Sequence, residues 1–147
     1  MNHDTLIQPQ NTETEAHILG IILMFPDAIN EASEILTGAG CFYLEKHAEI
    51  YSAMLSLKSR SEQIDVITVV NDLKRKEKLD AIGGRGYLSS LIQPVISDLN
   101  LKQYCLEVFD HYVRRQLIQI GNDAIKSAYD ISNNTPEELA NIVTGKQ

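Results

Sequence analysis

The sequence predicts an all-α protein, a compact globular helical domain followed by a helical hairpin, and three observations carry that reading. Apolar residues recur at three and four positions through most of the chain, which is the spacing of one helical face. Cap and breaker residues stand where those segments begin and end. No turn dipeptide joins two alternating stretches, so no β-hairpin is signalled. With 147 residues, 44% of them hydrophobic, the chain can bury a core without disulfides or a structural metal.

Residues 1–11 are polar around Pro9 and read as a flexible arm. Thr12-x-x-Glu15 has capping-box spacing and precedes Ala16, Ile18, Leu19, Ile21, Ile22 and Leu23. That segment is apolar nearly all round, so the first helix is expected to be buried on most faces and to end before Pro26. Asp27 is the expected cap of a second helix carrying Ile29, Ala32, Ile35 and Leu36, with Gly38 and Gly40 beyond its end. From Lys46 to Lys58, His47, Ile50, Tyr51, Met54 and Leu55 mark the apolar face of a third.

The run Val66 to Val70 is β-branched and would suit a strand. Asp65 at a cap position, and Val66, Val69, Val70 and Leu73 at helical spacing, favour a helix instead. Gly83-Gly84 and Gly86 break the chain before a short helix with Tyr87, Leu88, Leu91 and Ile92, stopped by Pro94. These segments make a globule over residues 12–97, and residues 98–147 form the long helix and a truncated hairpin.

Leu99 to Ile131 holds no proline and only Gly121, so one helix there would run about 45 Å. Leu101, Cys105, Val108 and Tyr112 form one stripe; Leu117, Ile118, Gly121, Ala124, Ile125 and Ala128 form another. Two stripes imply two partners, and the second is expected to bury against another chain. The alternative is a helix that breaks near Gly121 and folds back. Asn133-Asn134 predicts a turn, and Thr135-Pro136-Glu137-Glu138 a cap, N1 proline and N3 glutamate for a last helix with Leu139, Ile142 and Val143.

A net charge of −7, with eight carboxylates against Lys46 alone in the first 50 residues, disfavours phosphate-backbone binding and predicts little direct contact with nucleic acid. Lys74, Arg75, Lys76 and Lys78 read as a solvated helix end. Cys41 and Cys105 have no paired spacing and no secretory segment opens the chain, so a reducing cytoplasm is expected. The apolar run Ile18 to Phe25 is too short to span a membrane.

Histidines 3, 17, 47 and 111 fall on separate segments, and no metal-ligand spacing joins them. Glu13 and His17 share a helical face, where a surface ion pair is favoured over a metal. Cys41 with His47 could be nucleophile and base, but a buried cysteine beside Phe42 and Tyr43 is the plainer reading. Neither Gly83-Gly84-Arg85-Gly86 nor the terminal Gly145-Lys146-Gln147 fits a phosphate-binding loop. With no catalytic, cofactor or metal site, a binding or assembly module is left.

The motifs Glu13-Thr14-Glu15-Ala16-His17-Ile18-Leu19-Gly20, Phe42-Tyr43, His47-Ala48-Glu49-Ile50-Tyr51, Ile64-Asp65-Val66-Ile67-Thr68-Val69, Leu79, Gly83-Gly84 and Tyr87-Leu88 occur in series. With Tyr104 and Val113-Arg114-Arg115-Gln116-Leu117-Ile118, they span about residues 9–131. This order resembles the N-terminal domain of DnaB-type replicative DNA helicases. The resemblance implies a collar of a hexameric ring in DNA replication, with hairpins pairing subunits. It also implies docking of the C-terminal domain of a DnaG-type primase, at positions matching Tyr87 and Ile118, with Ala124 nearby. Leu117, Gly121, Ile125 and Ala128 are the expected self-association face.

The ATP-dependent motor, with its ATP and Mg, would belong to a C-terminal part absent from these residues. This chain alone would then neither hydrolyse ATP nor unwind DNA. The shortened hairpin leaves the oligomer open between dimer and hexamer. A stand-alone collar-like adaptor that modulates a helicase is the alternative, and an end inside a family helix favours a piece of a longer chain.

Overall fold

The most apolar helix of the sequence sits where burial is deepest. In the computed structural model, which describes residues 6–145, α1 (Thr12–Met24) buries every residue from Ile18 to Leu23. His3 of the arm, and Lys146 and Gln147 of the terminal tripeptide, lie outside the described residues. Around α1 pack α2 (Ala28–Ile35), α3 (Glu45–Ser59) and α5 (Gly84–Ile92); α4 (Val66–Arg75) packs on α3 and α5. α6 (Leu101–Tyr129) and α7 (Pro136–Thr144) complete seven helices, and no strand occurs among the described residues.

The chain divides into two compact units, one up to Tyr112 and the other from Val113 on. The core of the first includes Ile18, Ile22, Ile50, Met54, Leu73 and Leu88, all fully buried. Leu101, Cys105 and Val108 of α6 belong to that core, with Tyr104 and Tyr112 packed against it, as their stripe predicts.

Local physics explains the boundaries. Asp65 and Thr68 form a complete capping box, the Asp65 carboxylate accepting from Thr68 N–H at 2.8 Å and the Thr68 hydroxyl oxygen from Asp65 N–H at 2.9 Å. Two satisfied donors hold Val66-Ile67-Thr68-Val69-Val70 in a helix despite its β-branching. Thr135 caps α7 by accepting from Glu138 N–H at 3.2 Å, with Pro136 in the first turn. Gly83 and Gly84 both take left-handed backbone, φ 100° and 73°, which β-carbon-bearing residues avoid, and so turn the chain into α5.

Several expectations are corrected. α1 is capped by Asn11, whose side chain accepts from Thr14 N–H at 3.1 Å, and the Thr12–Glu15 capping box does not form because Glu15 is drawn inward. Asp27 flanks α2 in helical backbone with no side-chain cap bond. Gly86 lies inside α5, since the two preceding glycines complete the turn. Ala53, not Leu55, completes the buried face of α3. α6 runs unbroken through Gly121, so the fold-back at that residue does not occur.

Candidate docking site

Glu15 and His47 are each 1% exposed, although one was expected as a cap and the other on an ordinary apolar face. The Glu15 carboxylate, on α1, accepts Tyr43 N–H at 2.6 Å and Leu44 N–H at 3.4 Å. Leu44 is the N-cap residue of α3 and has no side-chain cap bond of its own, so Glu15 supplies a tertiary acceptor for that end of the helix. The same carboxylate meets His47 Nδ1 at 2.9 Å.

The other imidazole nitrogen, Nε2, lies 2.5 Å from the Tyr87 hydroxyl on α5. The two ring planes lie 17° apart with centroids 5.9 Å apart, joined end to end through that contact, and Lys46 Nζ sits 3.9 Å from the Tyr87 ring centroid. Tyr87 is half-buried. Burial, and then the Glu15 charge, push its phenol pKa up, so the hydroxyl stays protonated and is a poor nucleophile. Both nitrogens of His47 are engaged by Glu15 and Tyr87, and Cys41 is buried.

Burial pushes the Cys105 thiol up to about 12. His17 packs edge-on against Tyr104 at 5.2 Å rather than pairing with Glu13. Two members of the basic cluster, Arg75 and Lys76, meet a carboxylate together with Arg60: the Asp72 side chain, 0% exposed, lies 3.0 Å from Arg60, 2.5 Å from Arg75 and 2.9 Å from Lys76. Lys78 reaches Glu49 at 3.9 Å. Arg60, Arg75 and Lys76 thus close a buried charge, a use that spacing alone did not reveal. Among the described residues no group of three His, Cys, Asp or Glu could hold a metal ion, and no helix is long and apolar enough to cross a membrane.

In the second unit, Leu117, Gly121, Ile125 and Ala128 follow one another at four, four and three positions on the continuous α6. They therefore share a face, and all four are exposed. Ile118 and Ala124 are both half-buried and lie about 120° apart around the helix, given roughly 100° per residue. Asn134 closes the end of α6 by donating to the carbonyls of Ser127 at 3.2 Å and Asp130 at 3.3 Å. Bonds from Asn133 and Ser132 hold the Asp130 carboxyl below its ordinary range.

Comparisons with known proteins agree with this helical arrangement. Residues 7–110 match the family described as DnaB-like helicase N terminal domain. The replicative DNA helicase DnaB of Nostoc sp. (strain PCC 7120) is 37% identical over 130 residues, 88% of this chain and 15% of that protein. The replicative DNA helicase DnaC of Bacillus subtilis (strain 168) is 34% identical over 123 residues, 84% of this chain and 27% of that protein. This chain thus spans a small part of the curated relatives it matches.

The crystal structure of the N-terminal domain of DnaB helicase from Mycobacterium tuberculosis superposes with a TM-score of 0.85 at 31% identity. That similarity covers 94% of this chain and 97% of the other. A second match, with a TM-score of 0.74 at 27% identity over 93% of this chain and 32% of the other, is a DnaB-like replicative helicase solved together with its interactions with primase. Family match, sequence identity and shared helical fold all converge, and this chain belongs to the DnaB-like helicase N-terminal domain family.

Proposed function

We propose that this chain acts in DNA replication as the collar domain of a replicative helicase, self-associating through its hairpin and docking a DnaG-type primase through that primase's C-terminal domain. The observation that carries the reading is the exposed apolar face of α6, where Leu117 alone is 68% exposed. Apolar surface of this kind is stabilised when a partner removes it from water. Tyr87, Ile118 and Ala124 are the positions that the primase would meet. The helicase described with its primase interactions supports the choice of partner.

In this reading the chain works in the cytoplasm beside a C-terminal motor domain. ATP and Mg²⁺ are handled in that motor, and this part makes little direct contact with nucleic acid. Light scattering of the chain, alone and mixed with the C-terminal domain of its cognate primase, tests both claims. A dimer or larger species that gains mass with primase is expected. A monomer that ignores primase would refute both roles.

A further inference from the structure

Tyr87 is the one proposed docking residue whose surroundings extend into the core. Its hydroxyl, 2.5 Å from His47 Nε2, points away from solvent, and behind the imidazole stands the Glu15 carboxylate at 2.9 Å. The neighbours of that carboxylate are donors: two backbone N–H groups already bond to it, so it accepts from Nδ1–H. At Nε2 the same imidazole shares a hydrogen bond with the Tyr87 hydroxyl. The result is a hydrogen-bonded chain, Tyr87–His47–Glu15, anchored on the start of α3.

Each contact removes a different freedom of the ring. The hydroxyl lies on the ring axis, so its bond to His47 holds χ1 without hindering rotation about that axis. Lys46, over the ring face at 3.9 Å, holds the plane. The backbone leaves room for this placement, because a Cβ on Gly83 would come 3.0 Å from Cβ of Tyr87.

We propose that His47 is a positioning residue for the Tyr87 docking face: with Glu15 behind it, it holds the Tyr87 ring in one orientation, ready for the primase. The proposal rests on the docking role given above. It makes the tyrosine hydroxyl an internal strut and leaves the rest of the half-buried ring as the contact surface. A prearranged ring is not ordered at the moment of docking, so that entropic cost is avoided.

A double-mutant cycle on primase binding, run beside NMR of the unbound chain, tests the proposal. Tyr87→Phe removes only the hydroxyl, His47→Leu removes its partner, and His47→Gln offers a replacement acceptor if the leucine variant does not fold. Each single change is expected to weaken primase binding about fivefold to tenfold, the factor of one ordinary hydrogen bond. The double variant is expected to bind no worse than either single one, and glutamine better than leucine. Free wild-type chain is expected to show a slowly exchanging Tyr87 hydroxyl proton and a single χ1 rotamer, both lost in His47→Leu and retained in part in His47→Gln.

Additive losses would overturn the proposal, because the hydroxyl would then act on the primase directly. So would His47 variants that bind like wild type, or a Tyr87 side chain that averages over rotamers in wild type. A wild-type chain with the ring held but no affinity for primase would refute the docking role and leave the strut standing.

Discussion

At Gly20 a side chain is impossible without moving a helix. A Cβ there would overlap the carbonyl oxygen of Leu91 and come within 2.9 Å of Val95 Cγ2, so α1 and α5 approach through the missing side chain. Gly20→Ala is expected to lower stability by about 3 kcal/mol, the upper range for forcing one carbon into a packed core. A urea midpoint within error of wild type would contradict it. Asp72 carries the pH dependence. Burial would raise its pKa, but bonds from Lys76, Arg60 and Arg75 outweigh burial and hold it below its ordinary value. A depressed folded pKa means the contribution is full above the unfolded value of about 3.9 and is lost as pH falls through the folded one. Asp72→Asn should cost about 2 kcal/mol at neutral pH, since three cations lose their anion, and should flatten the acid limb of a stability–pH curve. An unchanged acid limb would show that other carboxylates set it. Neither role is set by a local signal alone, because the partners of Gly20, and Arg60 among those of Asp72, lie away along the chain.

Elements were legible where the signal was local. Asp65 and Thr68 are three apart, and their reciprocal bonds decide α4 against the strand preference of its valines. Asp65→Ala is expected to destabilise the protein by about 1 kcal/mol, the usual worth of an N-cap. Thermal melting checks this, and a stabilised variant would reverse the account. Other ends had no local signal. α3 and α4 close on Ser61 and Glu77, left-handed at φ 57° and 58°, where the rule looks for glycine. Their termination is secured by bonds from Glu62 N–H to the Leu57 carbonyl at 2.9 Å and from Lys78 N–H to that of Leu73 at 2.8 Å. The Thr12–Glu15 box failed for the opposite reason: its spacing was right, but Glu15 has better partners 28 to 32 residues away.

For the whole molecule, the question is which apolar surface another chain covers. Leu117→Asp places a charge on the exposed face of α6, where it touches no core of its own, so the fold should persist while self-association weakens. Light scattering with unchanged mass, or circular dichroism showing lost helix, would each contradict that expectation. The sequence by itself determined the all-α class, the order and approximate limits of the helices, and the family. These follow from periodicity, caps and short ordered motifs, which are contiguous along the chain. Tertiary structure alone decided that Glu15, His47 and Tyr87 form one hydrogen-bonded network, and that Asp72 gathers three cations. The reason is physical: periodicity reports which face of a helix is apolar, whereas a buried polar group is stabilised only by partners brought to it by the fold.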